Sequence, residues 1–155
     1  GLVKKEGVPQ GARVIENTAN LGFGGAVNQA VRQSKARYIA VLNDDTTVAP
    51  GWLQALVKAM ESDKRTGMCA CRIRLAGEGV LDSAGMLLCP DGSSKQRGFG
   101  EPADRYPNQE PALFPSGAAA FYRRAGFVAR GEEFVEAGIE HVEMHLALDH
   151  DAAGR

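Results

Sequence analysis

Cysteine, net charge and long apolar runs are what this chain of 155 residues has least of, and each shortage rules something out. The three cysteines, Cys69, Cys71 and Cys89, are odd in number, form no C-x-x-C pair and have no histidine at finger spacing, which argues against a disulfide framework or a zinc finger and for free thiols. Eighteen basic and 19 acidic residues leave a net charge of -1, too little field to recruit nucleic acid. Any anionic ligand must therefore be held by local geometry. Apolar runs such as residues 38–42 and 86–89 fall far short of the ~20 residues of a membrane-spanning helix. Residues 1–11 carry Lys4, Lys5 and Glu6 but no apolar segment of the kind a secretory signal needs. The expected location is the cytoplasm, with peripheral contact at the inner face of the membrane as the limit of any lipid association.

What remains is ordinary in bulk and unusual in detail. With 44% hydrophobic and 24% charged residues, the chain reads as a single globular domain over 1–155. The excess is glycine, 19 in all, clustered near 22–25, 77–85 and 92–100, where turns or close backbone approach to a ligand are expected. The pattern predicts a strand at 12–16, a helix from Gly24 to about Ser34, and a strand at 38–42 buried on both faces of a parallel sheet. A second helix follows Pro50, with Leu53, Leu56, Val57 and Met60 on one face, and then a strand at 68–73. This β-α-β-α-β order argues for an α/β sheet with right-handed crossovers. Further on, a β-ribbon is expected over 80–89, a long polar loop over 93–109, a strand at 117–122 and a closing helix over 132–148.

Two segments invite chemistry. The run Gly22-Phe23-Gly24-Gly25-Ala26-Val27-Asn28 lacks the Gly-Lys-Ser/Thr ending of a Walker loop, and Val27 stands where a dinucleotide fingerprint has its third glycine. A glycine pair opening a helix still offers backbone N–H groups at the positive end of the dipole, suited to a diphosphate; tight packing on the sheet would explain it equally. The second segment, Asn43-Asp44-Asp45-Thr46, ends a strand where ligands bind in open α/β sheets. Adjacent carboxylates there repel unless compensated, and oxygen ligands suit Mg²⁺ or Mn²⁺. The bland reading is a helix-entry cap.

Residues 17–29, 38–46 and 48–53 together resemble the inverting family 2 glycosyltransferases of the GT-A fold, nearest the rhamnosyltransferase-like branch. The segments Leu81-Asp82-Ser83-Ala84-Gly85, Arg97-Gly98 and Ser116-Gly117-Ala118-Ala119 continue the pattern in order. The resemblance implies an α/β, GT-A-like mixed sheet with helices on both faces. It also implies a nucleotide-diphosphate sugar donor and a saccharide or lipid-linked acceptor. Asp45 becomes the direct ligand of a divalent cation, Mg or Mn, and Asp44 faces the donor. Asn17, Gly24, Gly25 and Asn28 border the donor, and Ser116 and Gly117 line the acceptor side.

The sequence departs from that pattern at both ends. The nucleobase-binding strands of the family are missing ahead of residues 1–10, so an N-terminally truncated form is expected. Where the family places a carboxylate base in a late helix, Glu140-His141-Val142-Glu143-Met144 puts a histidine; Glu140 and His141 are the candidate bases, His having an ordinary pKa of ~6.5. His141 and His145 lie four apart, a spacing also compatible with metal binding on a helix. Two competing functions stay open: a non-catalytic remnant or interaction domain, paired as a homodimer through exposed strand edges, and a dinucleotide-binding oxidoreductase.

Overall fold

In the computed structural model residues 10–124 are described in full, and beyond them the backbone of four short strands. Two helices form where the apolar spacing predicts them, α1 (Gly22–Gln33) and α2 (Trp52–Ser62), and β1 (Tyr38–Leu42) has the bounds expected of it. Residues 12–16, expected as a strand, are irregular, and Val14 is exposed: an apolar pair makes a strand only where a ladder partner is at hand.

The central sheet has the order β1-β7-β2, with β2 at Met68–Ala70 and β7 at Ala119–Arg123. β7 is antiparallel to both neighbours, so β1 and β2 point the same way but never pair. The expected parallel pairing is thus replaced by an insertion, in which a strand returning from late in the sequence fills the gap between the first two. Among the described residues β1 is consequently an edge strand. This is why it is half-buried rather than buried on both faces, with Leu42 exposed.

Register fixes which side chains share a face. Tyr38 opposes Arg123, Ala40 opposes Phe121, and Cys69 opposes Phe121 from the other side. On this face α2 docks through Leu56 and Met60, which pack with Cys71, Ala119 and Phe121. Tyr38 stacks on Phe121 with ring centroids 5.3 Å apart. At the same end of the sheet Arg123 is fully engaged: Nε donates to Thr66 O (3.0 Å), Nη2 to Met60 O (2.6 Å) and Nη1 to Tyr38 Oη (3.2 Å). Tyr38 donates to Glu61, which also pairs with Arg37 at 2.9 Å. This polar clasp ties the C-terminal turn of α2 to the start of β1. Among the described residues α2 is the one α-helix with buried side chains; α1 has none, so helices packed on both faces are not observed there.

The strand expected over 68–73 breaks after Ala70 and resumes as β3 (Ile73–Arg74), paired with β4 (Leu81–Ser83) across a register shift. Both arms of the ribbon expected over 80–89 are strands, but they do not pair with each other: β4 pairs with β3, and β5 (Met86–Leu88) pairs instead with β6 (Ser94–Gln96) across the 90–92 turn. The expected polar loop therefore contains a strand and a 3-10 turn, Ala103–Arg105. Its strand residues are all exposed, so backbone pairing alone marks them.

The closing helix expected over 132–148 is overturned. The described backbone there forms β9 (Phe134–Glu136) paired with β10 (Ile139–His141), and β11 (Met144–Leu146) paired with β8 (Phe127–Ala129). Val135 and Ile139 favour strand, and Gly138 within the stretch costs a helix about 0.5–1 kcal/mol. His141 and His145 fall on different strands, β10 and β11, which belong to separate two-stranded pairs, and this removes the helical spacing behind the metal-binding idea.

Candidate functional site

The antiparallel ladder between β1 and β7 does not stop at Leu42 and Ala119. Asn43 N–H donates to Ala118 O at 3.0 Å, carrying the pairing one step beyond the strands. From there each chain turns away. On the β1 side Thr46 N–H donates to Asn43 O (3.2 Å), closing a turn that presents Asp44 and Asp45 to solvent. On the β7 side Ala119 N–H donates to Ser116 O (3.3 Å) and Ala118 N–H to Ser116 Oγ (3.4 Å), leaving Gly117 exposed at the tip. Two residue clusters more than 70 positions apart in sequence are thus brought to one edge of the sheet.

The glycine segment joins them. α1 begins at Gly22, whose φ of +67° favours glycine and whose N–H donates to Asn20 Oδ1 (2.9 Å). The next residue, Phe23, is 58% exposed, and its ring edge lies 3.9 Å from where a Cβ on Gly117 would sit. The N-terminus of α1 therefore stands beside the Ser116–Gly117 turn. Gly24 and Gly25 lie in its first turn, with open space next to Gly24. Asn28 is half-buried further along the helix. Asn17 is already committed: its amide exchanges two hydrogen bonds with Gln29, at 3.1 and 2.8 Å, fastening the loop before α1 to the helix.

Glu140 and His141 fall in β10, whose backbone runs beside α1; their side chains lie outside the described residues. Sequence reasoning missed Phe23 and Gln29 as contributors. Asn20 carried a legible signal, an Asx side chain two residues ahead of a glycine. The contact of Phe23 with the Gly117 turn had none, since it exists only in space.

Among the described residues no three His, Cys, Asp or Glu side chains gather into a metal site. Asp44 and Asp45 supply two carboxylates and no more. That fits a hard cation that takes the rest of its shell from water and a bound diphosphate, and it does not fit a closed, all-protein site. Cys69 and Cys71 are free, and burial pushes both thiols up, so they are protonated and packed in the core rather than reactive. No helix among the described residues is long and apolar enough to cross a membrane.

Comparison with known proteins identifies a family. The model of the family described as Glycosyl transferase family 2 matches residues 4–129, most of the chain and all of the site apart from Glu140 and His141. A second model, an acetyltransferase (GNAT) domain, matches residues 115–148. The two overlap over residues 115–129, which hold β7 and β8, and β7 is hydrogen-bonded between β1 and β2 in the sheet of the first. No curated protein and no solved structure matches.

Proposed function

The chain belongs to glycosyl transferase family 2, and from that premise we propose that it transfers a sugar from a nucleotide-diphosphate donor to an acceptor hydroxyl with inversion of the anomeric carbon. The observation that carries this is the Asn43–Ala118 bond. It sets the Asp44–Asp45 turn beside the Ser116–Gly117 turn, with the opening of α1 alongside.

In this reading Gly24 and Gly25 present backbone N–H groups at the positive end of α1 to the donor diphosphate, and Asn28 borders the same ligand. Asp44 faces the donor sugar or ribose. Asp45 would hold a divalent cation, Mg²⁺ or Mn²⁺, which when bound neutralises charge on the departing diphosphate. Ser116 and Gly117 form the acceptor side, and Phe23 beside them offers an apolar face to a sugar ring. His141, or Glu140 next to it, takes the proton of the acceptor hydroxyl as that oxygen attacks from the face opposite the leaving group. One displacement gives inversion. This reading goes with a cytoplasmic location, where nucleotide sugars are made, and with a saccharide or lipid-linked acceptor.

The test is release of nucleoside diphosphate from a panel of nucleotide sugars, with and without EDTA. We expect cation-dependent release that Asp45→Asn lowers by about 10²-fold or more, equivalent to roughly 2.7 kcal/mol of barrier. Transfer lost in His141→Ala and kept in Glu140→Gln would assign the base to His141, and the reverse pattern to Glu140. Release unaffected by both EDTA and Asp45→Asn would overturn the proposed role of Asp45.

A further inference from the structure

The ribbon returns to the site through residues 97–118, and one arginine grips that return at two points. Its backbone is locked into the ribbon: Ala84 N–H donates to Arg97 O (2.8 Å) and Arg97 N–H to Gly85 O (2.9 Å). The side chain, 24% exposed, then reaches out of it. The guanidinium carbon lies 5.2 Å from the centre of the Tyr106 ring, and the group pairs with the carboxylate of Glu110. Tyr106 is itself fixed, since Arg72 Nη1 donates to its carbonyl oxygen at 2.8 Å. Its ring occupies the space a side chain at position 98 would need: an ideal Cβ on Gly98 would come within 2.8 Å of two ring carbons, and the φ there is +75°. Downstream, Met86 N–H donates to Phe114 O (3.0 Å), Pro115 is buried, and Ser116 opens the turn at the site.

We propose that Arg97 is a positioning residue: by clamping Tyr106 and Glu110 against the ribbon it holds the 98–114 return in one shape and so fixes the Ser116–Ala118 turn. The assignment of that turn to the acceptor rests on the reading in the preceding subsection; the clamp does not. A connection of this length is ordinarily mobile, and the clamp shortens the free segment between two anchored points. Arginine suits the task because one planar group stacks on the ring and pairs with the carboxylate at once. Lysine keeps the charge and loses the stack.

The experiment uses the full chain and the variants Arg97→Gln, Arg97→Lys and Glu110→Gln. Amide hydrogen exchange over residues 110–119 is expected to quicken about tenfold in Arg97→Gln, with Arg97→Lys intermediate and α2 within about twofold of wild type. Exchange unchanged in 110–119, or raised equally in α2, would overturn the clamp. The second readout is the split between transfer to methyl glycosides and hydrolysis of the donor, beside affinity for UDP, GDP and dTDP with Mn²⁺. Transfer falling relative to hydrolysis at unchanged nucleotide affinity supports acceptor positioning, whereas nucleotide affinity falling in parallel overturns it. A wild-type protein that binds no nucleotide overturns the acceptor assignment, and exchange still decides the clamp.

Discussion

Glu61 shows how partners set the behaviour of a single residue. The hydrogen bond from Tyr38 is the largest influence and holds its carboxyl below the usual carboxylate range; desolvation opposes it, and the charges of Arg37, Arg123 and Lys64 add smaller support. A depressed folded pKa means that the stabilisation is present above the unfolded value and lost as pH falls through the folded one. The melting temperature should therefore decline below about pH 4.3, the ordinary glutamate value, and Glu61→Gln should flatten that limb while lowering stability at neutral pH. An acid limb identical in wild type and variant would contradict this. Tyr38 behaves oppositely: desolvation, then its bond to Glu61, raises the phenol, so its contribution is lost on the alkaline side as pH rises through the raised value. None of this clasp was legible in the sequence. The pair Arg37-Tyr38, Glu61 and Arg123 are separated by tens of residues, and they meet through the register of β1 on β7 together with the docking of α2 on the sheet.

Elements were legible in proportion to how much of their stabilisation is local. α2 declares itself through Leu53, Leu56, Val57 and Met60, and its inward pair Leu56 and Met60 is what the sheet receives. Met60→Ala should cost about 2–5 kcal/mol in chemical denaturation, because a fully buried side chain leaves a cavity. A cost below about 1 kcal/mol would mean that the α2 contact is not the core. β6 gave no such signal, since Ser94, Lys95 and Gln96 are all exposed and pair through backbone alone. The C-terminal stretch was misread because its Glu, Ala and Leu content favours helix while Val135, Ile139 and Gly138 do not. At Gly98 the local rule does hold. Gly98→Ala should destabilise by about 1–3 kcal/mol, combining a positive φ with a clash on the Tyr106 ring, and an unchanged denaturation midpoint would contradict the packing described.

For the whole molecule, the motifs were readable before their arrangement was. Glycine loop, acidic turn and Ser116–Gly117 segment are visible in order along the chain, and the family match over residues 4–129 spans all three. That they meet depends on β7 inserting between β1 and β2, a non-local pairing that no hydrophobic pattern records. The same arrangement separates the competing functions, because a transferase must use the meeting point and an interaction domain built on the same fold need not. Calorimetric titration with UDP, GDP and dTDP in the presence of Mn²⁺ puts this most directly. The expected result is cation-dependent binding of one of the three, abolished in Asp45→Ala while Glu61→Gln retains it. The contradicting result is no heat up to millimolar nucleotide, which favours the interaction domain, or binding of NAD without metal, which favours a dinucleotide site.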